Sequence, residues 1–180
     1  MPSIIVLDKL SPDGLALLDA AAKQGITYEV STGLKDEALR EALARHDGAI
    51  CRSGVKITAA SLAGNTRLRA IVRAGVGTDN IDKEAATRQG IVVMNTPAGN
   101  TVSTAEHAFA LLLGLSRNVA AADASLRAHT WDRNKFMGAQ LAGKAIGIVG
   151  LGRIGQAVAS RARAFDMRVL GFDPFLSADR

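Results

Sequence analysis

The 180-residue sequence predicts an α/β protein with parallel sheets in two domains, residues 1–97 and 98–180. Three observations carry that expectation. Short apolar runs alternate with helical periodicity as far as Asn95, which is the pattern of strands joined by crossover helices. A turn-rich segment, NTPAGN at 95–100, then interrupts it. Residues 145–155, AIGIVGLGRIG, follow as an apolar strand, a glycine turn and the start of a helix.

In chain order, residues 4–7 form an apolar strand ending at Asp8, and Ser11 with Pro12 opens a helix. Leu15, Leu17, Leu18 and Ala21 are expected on its apolar side, with Gly25 beyond its end. Strands are expected at 28–30, 49–51, 68–72 and 91–94, with helices at 36–44, 59–62 and 83–88. Five strands in this alternation make a flavodoxin-like parallel-sheet domain. Residues 101–117 give the longest helical segment, apolar on nearly every side from 108 to 115, and such a helix expects protein all round it. Ser103 and Glu106 have capping-box spacing near its start. Glu106 and His107 are helix neighbours about 100° apart and cannot face one another as an acid–base pair, so capping and packing are the expected roles. A further helical stretch, 118–128, leads into the basic connector WDRNKF at 131–136.

Composition narrows the partners. The net charge is +5, but the arginines are scattered and no aromatic-interleaved basic motif accompanies them, so small anions are expected rather than nucleic acid. The sequence shows neither a signal-peptide pattern at its start nor an apolar run of membrane-spanning length. Cys51, the only cysteine, is read as a buried apolar side chain with a reactive thiol as the alternative, and its solitude suits a reducing, cytoplasmic setting.

Gly150, Gly152 and Gly155 supply G-x-G-x-x-G, with helical spacing over 156–165 and a second strand at 168–172 ending at Asp173. In that order the first glycine allows a tight turn, the second lets N–H groups approach a pyrophosphate, and the third lets helix and strand pack closely. The helix N-terminus then faces the phosphates. Asp173 stands about 20 residues past the turn, where an acid holds an adenosine ribose and repels the extra phosphate of NADP. NAD is therefore the expected cofactor, in the first half of a Rossmann NAD-binding domain. Asp173 followed by Pro174 could alternatively be a turn starter.

Ligands of open parallel sheets sit beyond the carboxyl ends of strands. Arg52, Ser53 and Lys56 follow the third strand, and Arg73, Gly75 and Gly77 follow the fourth. The segment RAGVGTDN at 73–80 could cradle a carboxylate on glycine N–H groups beside cations. It could equally be a glycine-rich loop with solvated arginines.

The segments CRSGVK (51–56), RAGVGTDNID (73–82), VVMNTPAGNTVSTAEH (92–107), WDRNKFMGAQLAGK (131–144) and GIVGLGRIG (147–155), in order, resemble the D-isomer-specific 2-hydroxyacid dehydrogenases. The resemblance implies reversible hydride transfer between NAD and a 2-hydroxy acid, with 3-phosphoglycerate as the substrate and hydroxypyruvate or glyoxylate reduction as the alternative. It implies that Val76 and Gly77 offer N–H groups to the substrate carboxylate, Val76 also lying near the nicotinamide. Arg52, Ser53 and Lys56 would face the substrate and its phosphate, and Arg133 and Lys135 would reach a neighbouring subunit's site. Arg153 and Ile154 would lie along the pyrophosphate, and the long apolar helix would pair subunits into a homodimer or homotetramer through the cofactor domain.

The family's catalytic arginine, glutamate and histidine lie downstream of the second cofactor strand, so no catalytic residue is assigned here. His46, His107 and His129 do not match the catalytic position, and no metal site is expected. Only about two strands of a six-stranded cofactor sheet are expected. The sequence thus reads as the N-terminal part of a longer dehydrogenase, inactive alone, or else as a short non-catalytic NAD- or partner-binding module.

Overall fold

A computed structural model describes residues 1–176. Its contacts divide the chain into two compact units, Met1–Gly99 and Asn100–Arg180.

The first unit runs β1 (Ser3–Val6), α1 (Pro12–Ala22), β2 (Thr27–Val30), α2 (Asp36–Arg45), β3 (Gly48–Cys51), α3 (Ala59–Leu62), β4 (Ala70–Arg73), α4 (Lys83–Arg88) and β5 (Val92–Asn95). All five strands are parallel, in the order β2-β1-β3-β4-β5, which is the flavodoxin-like order. Ile4 pairs with Tyr28 on one side and Gly48 on the other, and Ile71 lies between Ala49 and Val93. Ile5, Leu7, Leu39, Leu43, Leu62 and Ile71 are fully buried in one continuous core.

The local signals explain most helix boundaries. Ser11 Oγ accepts the Gly14 N–H at 3.2 Å with Pro12 in the first turn of α1. Thr58 and Ser61 form a reciprocal capping box on α3, and Asp82 Oδ1 accepts the Ala85 N–H at 2.9 Å on α4. The apolar side expected for α1 needs one correction. Leu15, Leu18 and Ala21 are half-buried, whereas Leu17 is 74% exposed. At about 100° per residue, Leu17 points about 200° from Leu15 and leaves the packed stripe.

At the amino-terminal edge of this sheet, Asp47 Oδ2 accepts from the Ser3 N–H at 2.8 Å and from Arg67 at 3.1 Å. These bonds, led by the Arg67 guanidinium, hold the Asp47 carboxyl far below its ordinary value of 3.8. A depressed folded value means stability that is fully present above the ordinary carboxylate range and is lost as pH falls through the folded value. On acidification from about pH 5 to pH 2, chemical denaturation is expected to show a steeper loss of stability in the wild type than in Asp47→Asn. Parallel pH profiles of the two proteins would refute this.

The second unit contains α5 (Thr101–Ser116), α6 (Val119–Arg127), β6 (Ala145–Val149), α7 (Arg153–Ala164) and β7 (Arg168–Phe172). β6 and β7 pair in parallel from Ala145↔Arg168 to Val149↔Phe172, with α7 as the crossover. Phe109, Leu141, Ala162 and Met167 form its core, and Phe109 stacks on Phe165 with ring centres 5.4 Å apart.

Two expectations about α5 are corrected. Asn100 is its N-cap, so Ser103 lies inside the first turn and donates to the Asn100 carbonyl at 3.2 Å instead of closing a capping box with Glu106. Glu106 does not cap either; it meets Arg161 of α7 at 3.4 Å. Along the apolar middle only Phe109 is buried, while Leu111 is 62% and Leu115 80% exposed. The helix α7 begins at Arg153, inside the stretch 145–155 where its start is expected. Among the described residues no helix is long and apolar enough to cross a membrane.

Candidate functional site

Each unit carries polar and glycine-rich loops at the carboxyl ends of its strands. In the second unit the turn after β6 follows the geometry its three glycines suggest. Gly150 has φ +95°, a left-handed conformation that side chains resist, and its N–H donates to the Phe172 carbonyl at 2.7 Å. Gly152 caps α7 with no side-chain acceptor, and a Cβ placed there would meet nothing within 4 Å. Gly155 has the Gly150 carbonyl oxygen where its Cβ would be, so helix and strand are as close as backbone allows. The first turn of α7 has no acidic residue, and Arg153 is exposed beside it. The helix dipole and open N–H groups therefore face free space at Gly152, which suits an anion.

Asp173 follows β7 directly. Its Oδ2 accepts the Leu151 N–H at 2.7 Å, joining the acid to the glycine turn. Its Oδ1 accepts the Phe175 N–H at 2.9 Å, so it also shapes the turn at Pro174. A carboxylate has about four acceptor positions, and these two bonds leave others for a hydroxyl.

In the first unit, Arg52, Ser53 and Lys56 are exposed on the loop after β3. Two residues that the sequence reading did not single out hold this loop. Asp8 Oδ2 accepts the Arg52 N–H at 2.6 Å, and Asn80 Nδ2 donates to the Arg52 carbonyl at 2.8 Å and the Val55 carbonyl at 2.9 Å. The signal that could have found them is a short polar side chain just past an apolar strand or inside a glycine loop.

The loop after β4 carries Gly75, Val76 and Gly77. Arg73 is half-buried at the end of β4, its guanidinium lies against Gly75, and its Nε is buried without a partner among the described residues. The Asp79 carboxylate lies close to Gly77, at 2.8 Å from where a Cβ would stand. Asn95, also missed from sequence because NTPAGN reads as a boundary turn, donates from Nδ2 to the Val76 carbonyl at 2.6 Å. The Thr96 N–H donates to the Gly75 carbonyl at 3.0 Å. Among the described residues, the Val76 and Gly77 N–H groups have no hydrogen-bond partner.

Cys51 lies beneath these loops. Burial, aided by the nearby Asp8 carboxylate, pushes its thiol up to about 11, so it stays protonated and inert at neutral pH. Arg133 and Lys135 belong to the other unit, exposed on the turn after α6, where the Lys135 N–H donates to Asp132 Oδ1 at 3.2 Å. His46 is buried with Nδ1 at 2.7 Å from the Ala42 carbonyl, and His107 and His129 are exposed on the second unit. None of the three lies in either glycine loop.

A parallel α/β chain with a glycine turn opening onto a helix N-terminus and an acid past the next strand has the architecture of dinucleotide-dependent enzymes. Residues 4–171 match the D-isomer specific 2-hydroxyacid dehydrogenase catalytic domain, and the chain belongs to that family. It is 44% identical to the D-3-phosphoglycerate dehydrogenase of Archaeoglobus fulgidus over 98% of its own length and 33% of that protein's. The enzyme of the same name from Methanocaldococcus jannaschii is also 44% identical, with the same two coverages. The chain thus spans about a third of the length of these curated relatives. Among solved structures, a protein of Thermus thermophilus matches with a TM-score of 0.87 and 34% identity, over 98% of this chain and 57% of that one. The NAD+-bound 3-phosphoglycerate dehydrogenase of Entamoeba histolytica matches with a TM-score of 0.78 and 28% identity, over 99% of this chain and 56% of that one.

Proposed function

We infer that the chain supplies the NAD and substrate sites of an enzyme that oxidises D-3-phosphoglycerate to 3-phosphohydroxypyruvate. The reading assigns 1–97 to substrate and 98–180 to cofactor. The observation that carries it is the glycine turn, with Gly152 open to a phosphate, Gly155 packed against Gly150, and Asp173 joined to Leu151. Gly150, Gly152, Arg153, Ile154 and Gly155 take the pyrophosphate in this reading, and Asp173 takes the ribose.

On the substrate side, the Val76 and Gly77 N–H groups receive the carboxylate. The cations Arg52, Lys56 and Arg73, with the Ser53 hydroxyl, suit an acid that carries a phosphate beside its carboxylate better than a plain one. Arg133 and Lys135 serve a neighbouring copy's site. The exposed Leu111 and Leu115 of α5 favour a homodimer or homotetramer formed through the second unit. The names of the relatives support the reaction.

Calorimetric titration of NADH into the 180-residue chain tests the cofactor assignment. Saturable binding is expected, weaker for NADPH, and weaker by about tenfold or more in Asp173→Ala, which loses both the ribose acceptor and the Leu151 tie. Equal affinity of Asp173→Ala and the wild type for NADH would remove Asp173 from the site. No heat with either nucleotide would overturn cofactor binding by this chain.

A further inference from the structure

The geometry points to Asn95 as a positioning residue that aims the two N–H groups of the carboxylate cradle. A trans peptide places its carbonyl and N–H on opposite sides of one rigid plane. Fixing the carbonyl therefore fixes the direction of the N–H. The Val76 carbonyl shares a plane with the Gly77 N–H, and Asn95 Nδ2 holds that carbonyl at 2.6 Å. The Gly75 carbonyl shares a plane with the Val76 N–H, and the Thr96 N–H holds it at 3.0 Å.

Both clamps come from the end of β5, one from a side chain and one from the main chain. β5 is itself fixed to β4 by parallel pairing through Arg73↔Asn95. The two donors sit on a glycine-flanked loop that would otherwise sample many orientations, and the loop is ordered by its acceptors. A carbonyl that accepts a hydrogen bond also polarises its peptide, which strengthens the N–H on the other side. Neither N–H is used elsewhere among the described residues, so both are free to receive an anion. Asn95 would never touch the substrate; its contribution is an orientation already set before the carboxylate arrives, as preorganised donors require.

This role rests on the proposed carboxylate site at Val76 and Gly77, and the experiment separates the two. The 180-residue chain is labelled with nitrogen-15 and titrated by NMR with 3-phosphoglycerate and, separately, with glycerol 3-phosphate, which keeps the phosphate and lacks the carboxylate. The variants are Asn95→Ala and Asn95→Leu, the second of nearly equal volume with no donor, and Thr96→Ala, which keeps its main-chain N–H. Native amide protection of β4 and β5 identifies folded variants.

In the wild type, 3-phosphoglycerate is expected to shift the Val76 and Gly77 amide signals. Both Asn95 variants are expected to move the Gly77 signal without ligand and to bind 3-phosphoglycerate about tenfold more weakly. Their response to glycerol 3-phosphate should match the wild type's, and Thr96→Ala should bind both ligands within about twofold of the wild type. Unchanged 3-phosphoglycerate affinity in a folded Asn95 variant, or equal weakening for both ligands, would overturn the positioning role and leave the carboxylate site standing. So would loss of native protection in both variants, which would make Asn95 a structural residue. Absence of any wild-type shift at Val76 and Gly77 would overturn the carboxylate site and the role together.

Discussion

Gly155→Ala is expected to destabilise the second unit by about 1–3 kcal/mol and to abolish measurable NADH binding. The added carbon would fall on the Gly150 carbonyl oxygen, with the Gly150 carbonyl carbon at 3.1 Å. Those atoms are backbone and cannot rotate aside as a side chain can, so α7 must lift from β6. The lift pulls the turn out of shape and disperses the N–H groups that the proposed function assigns to a pyrophosphate. Gly152→Ala is the contrasting substitution. Its φ of −66° suits any residue and its Cβ would meet nothing within 4 Å, so the ligand-free protein should keep its stability within about 0.5 kcal/mol. On the proposed cofactor site the new methyl enters the space assigned to the phosphates, so NADH affinity should still fall by at least about tenfold. Denaturant melts read beside calorimetry distinguish the two. Equal melts for Gly155→Ala and Gly152→Ala would contradict the packing argument.

Leu43→Ala is expected to cost the first unit about 2–5 kcal/mol, measured by denaturant unfolding. Leu43 on α2 is fully buried within the core beneath the sheet, and removing three carbons there leaves a cavity that close-packed neighbours fill only in part. Leu17→Ala on α1 removes the same atoms from a side chain that is 74% exposed. Alanine is at least as good a helix former, so that substitution should stay within about 0.5 kcal/mol of the wild type. A Leu17→Ala loss comparable to that of Leu43→Ala would mean that α1 is covered in solution.

The same pair of leucines shows what could be read from sequence. Alternating apolar runs gave the number and parallel sense of the first five strands, because crossover helices join strands that run the same way. The helical segments expected near 59–62 and 83–88 coincide with α3 and α4, whose ends the structure shows capped by Thr58, Ser61 and Asp82. Leu17 was misplaced because composition marks a leucine as apolar, while burial depends on its angle to a partner element. Ser103 and Glu106 misled for a related reason: their spacing fits a box, but the helix had already begun at Thr101.

The candidate sites divide in the same way. The glycine turn and Asp173 were visible because their chemistry is local and the spacing along the chain is short. Asp8, Asn80 and Asn95 were hidden because each acts across 19 to 44 positions of sequence, as Asn95 to Val76 and Asp8 to Arg52 illustrate. What such a residue does is decided by which strand lies beside its own, and that follows only from the strand order.

Arg73 and Gly75 show how an absent atom can steer a charge. The guanidinium rests where a side chain at position 75 would begin, with its Cζ 2.6 Å from the place of a Cβ. A methyl group at 75 would evict it, and the arginine is flexible enough to yield without unfolding anything. Position 75 thus decides whether this cation can keep the pose it holds, folded over the loop. Descendants of this sequence could redirect that positive charge by a single-carbon change at 75, leaving the arginine itself untouched.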